Sequence, residues 1–148
     1  MYVLILYGVY LFLAVFNAGN MMTLQIQHFG IYPTVGKENF KNYMKANNKS
    51  AVIPSILPAI LLIITNIILV FVRPDFMPKS IAILSLVLNI IAFISTATWQ
   101  RKLQEELAFT GYDEIKIFLL ISTNWIRTLA FLIQAIIAVA VTMSAVNN

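Results

Sequence analysis

The side chains able to do chemistry in this chain are few, and they sit in two places. One group closes the first apolar block: Asn17, Asn20, Gln27 and His28, on a stripe shared with Leu24. The other opens the last block, where Asn124, Trp125 and Arg127 are followed by Gln134. Polar groups inside apolar segments are costly, so each is a functional candidate by default. Counting along the blocks puts Asn20 and Arg127 at similar depth, with His28, Gln100 and Asn124 nearer one mouth. Helical geometry therefore predicts a polar pocket of Asn20, His28, Trp99, Gln100, Asn124, Trp125 and Arg127. An imidazole and a guanidinium among amides offer acid–base chemistry and the holding of an anion. Blander roles stand beside these. His28, close to Gly30 and Pro33, can merely cap a helix, and Arg127 can snorkel to headgroups. Trp99 and Trp125 can anchor an interface, and Asn66 and Asn89 are expected to join helices by hydrogen bonds.

Other chemistries are set aside by composition. The chain has no cysteine and one histidine, which removes disulfides, thiolate nucleophiles and Cys-based metal sites, and leaves no pair of His ligands for haem. No carboxylate lies inside an apolar block, so the Glu-x-x-His pattern of di-iron bundles is missing. No metal centre is expected. No nucleic-acid motif accompanies the net charge of +4.

The elements that must position these residues follow from the distribution of charge. Of 148 residues, 60% are hydrophobic and 11% charged, against roughly a quarter charged in soluble domains. Four blocks are nearly free of charge, and each reaches about the 20 residues a helix needs to cross a bilayer. Strands of alternating polarity are absent, so the fold class is all-α: an integral membrane four-helix bundle forming a single domain over 1–148. Its helices are predicted at about 2–27, 51–72, 79–107 and 113–146. The first block lacks a basic leader and a small-residue cleavage site, and reads as a retained helix.

Lys37, Lys41, Lys45, Lys49, Arg101, Lys102, Lys116 and Arg127 lie in or beside the first and third connections, while Arg73 and Lys79 alone lie in the second. That asymmetry predicts an inner membrane location, a cytoplasmic first and third connection, both termini outside, and contact with anionic headgroups. Phe40, Tyr43 and Met44 at helical spacing, with the four lysines on another face, predict a short amphipathic interfacial helix, apolar side down in the bilayer. No breaker interrupts Gln100 to Leu107, and Thr110-Gly111 precedes Asp113-Glu114. Helices three and four should therefore run on as a hairpin beyond the membrane.

Short motifs add a resemblance. His28-Phe29-Gly30-Ile31-Tyr32-Pro33, then Phe40 and Pro54, then Leu103, Gly111-Tyr112-Asp113 and Asn124-Trp125-Ile126-Arg127-Thr128 resemble, in order, the anthrone-oxygenase-like family of small four-helix membrane proteins. Where that pattern has a Pro and a His at the end of the third helix, this chain has Thr98-Trp99-Gln100. The resemblance implies a cofactor-free oxidation of a lipophilic aromatic or quinone-like molecule by dioxygen. His28 would then be the base, Arg127, Asn124 and Gln100 the donors to an oxyanion, and Trp99 or Trp125 a stacking wall. The alternative is a non-catalytic accessory subunit of a larger membrane complex, or a homo-oligomer, in which the polar stripes join helices. A transporter ranks below both, since no inverted repeat or broken helix pair is evident.

Overall fold

The computed structural model describes residues 1–147 and is helical throughout, with no strand among them. Helix α1 (Tyr2–Thr23) continues through a π-helical turn (Leu24–His28) and a 3-10 turn (Phe29–Thr34). Helix α2 (Lys37–Ser50) leads through a second π turn (Val52–Ile56) into α3 (Leu57–Phe71). Helix α4 (Lys79–Ser95) passes through a third π turn (Thr96–Gln100) into α5 (Arg101–Thr110), and α6 (Glu114–Val146) completes the chain. Four continuous helical stretches, Tyr2–Thr34, Val52–Phe71, Lys79–Thr110 and Glu114–Val146, are long and apolar enough to cross a membrane. The expected end of the first, near residue 27, is overshot, because the tighter 3-10 turn carries the chain through Pro33.

The stretches pack as an up-down ring. α1 touches α3 and α6, α4 touches α3 and α6, and the diagonal pairs α1/α4 and α3/α6 make no backbone contact among the described residues. Alanine dominates the facing positions, with Ala14, Ala18, Ala82, Ala92, Ala130 and Ala138 all buried. Small side chains let helix backbones approach closely, which matters where lipid removes the hydrophobic drive for helix association. One bond spans the diagonal: Tyr10 OH donates to Ser85 Oγ at 2.9 Å. At the end holding both termini, Tyr7 OH donates to the Ala138 carbonyl at 2.9 Å. Asn66 and Asn89 depart from expectation, being buried with no hydrogen-bond partner for either amide among the described residues.

The opposite end, which carries most of the lysines, has a core of its own. Lys79–Thr110 and Glu114–Val146 have 32 and 33 residues, or about 48–50 Å of helix against a hydrocarbon thickness of about 30 Å. Their ends pack together as a hairpin, α5 against α6. Gly111 turns it at φ +93°, a backbone conformation that costs other residues energy. Asp113 Oδ1 then caps α6 by accepting from the Lys116 amide at 3.1 Å.

The hairpin also changes what α2 packs on. Phe40 and Met44 are fully buried with Phe29, Tyr32, Leu107, Ile117 and Leu120. The apolar side expected to face lipid is thus covered by protein, because the hairpin offers it a surface beyond the bundle. Aromatic contacts tighten this layer. Tyr32 sits edge-on to Phe40 at 5.8 Å, and Phe40 edge-on to Tyr112 at 5.3 Å.

Candidate functional site

Three π turns interrupt the helices around the basic end. Each is closed by an i→i−5 bond, from the amides of Phe29, Leu57 and Arg101 to the carbonyls of Leu24, Val52 and Thr96. Such turns insert an extra residue into a helix and often mark functional sites. At the second, the cause is legible. Pro58 has no N–H, so the Pro54 carbonyl loses its i+4 donor. Asn20 Nδ2 supplies the replacement at 2.8 Å and also reaches Ser55 Oγ at 3.2 Å. Asn17 Nδ2 likewise donates to the Pro58 carbonyl at 3.2 Å.

A cavity of about 330 Å³ lies among the three turns. Its walls include Leu24 and His28 from the first, Ser55 and Ile56 from the second, and Thr96 from the third. Asn47, Asn48 and Ala51 from the end of α2 and Arg101, Gln104 and Glu105 from α5 form the rest of the upper wall, and Arg127 comes from α6. Two residues of the expected pocket, His28 and Arg127, do share this space.

Arg127 is held from behind. Its Nε donates to Asn124 Oδ1 at 2.7 Å, and Asn124 Nδ2 donates to Gln25 Oε1 at 2.5 Å and to Thr128 Oγ1 at 3.2 Å. Gln25 Nε2 donates in turn to the Ile121 carbonyl at 3.2 Å. This chain fixes the amide of Asn124 with its oxygen toward the guanidinium. No carboxylate pairs with Arg127 among the described residues, whose ion pairs are Arg101–Glu105, Lys116–Glu106 and Lys116–Asp113. A mostly buried cation without a counter-ion is costly unless an anion joins it.

His28 is held from the side. Its Nε2 lies 3.3 Å from Tyr32 OH, which also accepts from Asn47 Nδ2 at 3.1 Å. Its ring lies over that of Tyr43 at an interplanar angle of 30°, with centroids 6.2 Å apart. Burial pushes the Tyr43 phenol upward, so this ring stays neutral. His28 therefore has one nitrogen in a hydrogen bond and a ring oriented by three aromatics, Phe29, Tyr32 and Tyr43, an arrangement that fixes an acid–base group.

The remaining expected residues fall elsewhere. Asn20 is a strut between α1 and the Pro54 carbonyl and does not line the cavity. Asn124 is fully buried behind Arg127 and acts through it. Gln100 is turned toward α6, donating to Thr123 Oγ1 at 2.7 Å and to the Leu120 carbonyl at 3.3 Å. Trp99 and Trp125 are 46% and 41% exposed on the outer surface, Trp99 facing a groove on the other side of the hairpin. Neither indole forms a wall of the cavity.

Gln25, the buried partner of Asn124, is the residue that the stripe of Asn20, Leu24 and Gln27/His28 passes over. The signal for it is present: Asn17, Met21 and Gln25 form an i, i+4, i+8 row, and all three are buried. The π turn begins at Leu24 and shifts the faces that follow, which brings His28 to the cavity beside a buried Gln25. No family model, curated protein or solved structure matches this chain.

Proposed function

We propose that the protein is a multi-pass membrane oxidoreductase without a cofactor, which holds the acidic end of a lipophilic aromatic molecule in the cavity between His28 and Arg127. One observation carries the reading. A guanidinium without a carboxylate partner lines the same 330 Å³ space as an oriented imidazole. The volume lies at the small end of ligand cavities, enough for the reacting end of a polycyclic molecule. In this reading the basic end faces the cytoplasm, both termini face outward, and the lysines of α2 meet anionic headgroups.

The chemistry asks little of the protein. His28 removes a proton from an activated methylene of the substrate. The resulting enolate is stabilised by Arg127, whose guanidinium is already in place and needs no reorganisation when charge develops. The electron-rich carbanion reduces dioxygen, leaving one oxygen in the product ketone while the other departs as water. Asn124 and Gln25 position Arg127, and Tyr32 and Asn47 position His28. Gln100, Trp99 and Trp125 have no part in this scheme.

The test is oxygen uptake by the purified protein in mild detergent with a hydroxylated anthrone as probe, corrected for uncatalysed oxidation. His28→Ala is expected to lower the catalysed rate by about 10²–10⁴, and Arg127→Gln by about 10²–10³. Absence of catalysed uptake, or variants indistinguishable from the parent, would sink the proposal. One observation favours the accessory-subunit reading: an apolar groove along α1 and α6 floored by Ala18, Gly19, Ala135 and Ala140, which another helix can approach closely. Copurification of a defined set of subunits would select it.

A further inference from the structure

The cavity is closed on one side and open on another, and the asymmetry says where its occupant comes from. Toward the aqueous phase it is roofed. Helix α2 packs along α5, and Asn48 Nδ2 donates to the Gln104 carbonyl at 3.2 Å. Toward the bilayer the situation is different. Helices α3 and α4 pack together, but the Val52–Ile56 turn packs only on α1, α2 and α3. It makes no backbone contact with α4, the Thr96–Gln100 turn or α5 among the described residues. The second and third spans thus splay at their basic ends. Ser55 and Ile56 on one lip, and Thr96 and Arg101 on the other, line the cavity itself.

The lips have the character of a lipid-facing opening. Ile56, which lines the cavity, is an exposed apolar side chain, as is Ile53 one turn before it; water would disfavour both and acyl chains would not. At the upper edge stands the exposed Arg101–Glu105 pair, at the height where a helix leaves hydrocarbon for headgroups. Deep inside stands Arg127. A solute arriving from water would meet the α2–α5 roof, and one arriving from lipid would meet an apolar cleft with a cation at its end.

We infer that the cleft between the Val52–Ile56 and Thr96–Gln100 turns is a lateral portal, and that the site takes membrane-dissolved amphiphiles, their anionic end on Arg127 and their apolar body lying in the cleft and the bilayer. This rests on the reading that Arg127 receives an oxyanion, and it adds the route and the requirement for an apolar tail. The cavity volume agrees: about 330 Å³ holds a head and a few methylenes but not a long acyl chain, so the remainder must extend through the opening. Guanidinium suits carboxylate, enolate or phosphate heads alike.

The experiment is native mass spectrometry of the intact protein in neutral detergent, titrated with oleate, methyl oleate and butyrate. Oleate is expected to be retained at one per chain, and Arg127→Gln to weaken it at least tenfold. Ile56→Trp, which fills the lip, should weaken oleate at least tenfold while far-ultraviolet circular dichroism stays that of the parent. Thr96→Trp fills the opposite lip and serves if Ile56→Trp does not fold. If butyrate displaces oleate at equal concentration, or if a folded lip variant binds oleate like the parent, the portal is overturned while the anion site at Arg127 stands. If methyl oleate binds as well as oleate and Arg127→Gln changes nothing, the anion site falls and the portal with it.

Discussion

The bond between Asn20 and the Pro54 carbonyl allows a sharp test of how this bundle tolerates its prolines. Pro58 cannot donate to Pro54, so the carbonyl depends on Asn20 Nδ2 at 2.8 Å. Replacing Asn20 by Leu leaves the carbonyl without a donor beside an apolar face, at a cost of about 1–3 kcal/mol. The hydrogen bond to Ser55 Oγ is lost with it, while Leu recovers part of the cost by apolar contact, for a net destabilisation of about 1–2 kcal/mol. Pro58→Ala restores an N–H four residues beyond Pro54 and removes the dependence. In the Pro58→Ala background the same Asn20→Leu change should then cost less than about 0.5 kcal/mol, a coupling of about 0.5–2 kcal/mol between residues that share one carbonyl. The assay is a full double-mutant cycle by denaturant titration in mixed micelles, followed by the fluorescence of Trp99 and Trp125. Equal costs of Asn20→Leu in the two backgrounds would refute the reasoning, because the Pro54 carbonyl would then not be what Asn20 serves.

Two further outcomes follow from burial. Asn89 is buried with neither amide atom bonded among the described residues, so Asn89→Val, apolar and only somewhat larger, should leave stability unchanged or raise it by about 1–3 kcal/mol; a lower unfolding midpoint would show that the amide has a partner, such as water. Phe40 is fully buried in the core that joins α2 to the hairpin, and Phe40→Ala should cost about 3–5 kcal/mol there. Limited trypsin cleavage within Lys37–Ser50 should accelerate at least tenfold while the four long helices stay intact; an unchanged rate would mean that another contact secures α2.

The four apolar helical stretches were legible in the sequence, because helix length and apolar run are local properties that no packing partner needs to supply. The hairpin turn was legible too, since Gly111 and Asp113 carry their conformational and capping preferences within a few residues. His28, Arg127 and Asn124 stood out as polar groups that required an explanation. How those groups divide their work came from tertiary packing. The π turns at Leu24–His28 and Thr96–Gln100 have no proline to announce them, and an extra residue in a helix rotates every later face. That rotation turns Gln100 toward α6 and brings His28 to the cavity, while Gln25 stays on the buried row of Asn17 and Met21. Whether the apolar side of α2 meets lipid or protein likewise depended on the hairpin, a partner far away in the chain. The cleft between the second and third spans is the most tertiary feature of all, since it arises where two helices that pack along most of their length stop touching.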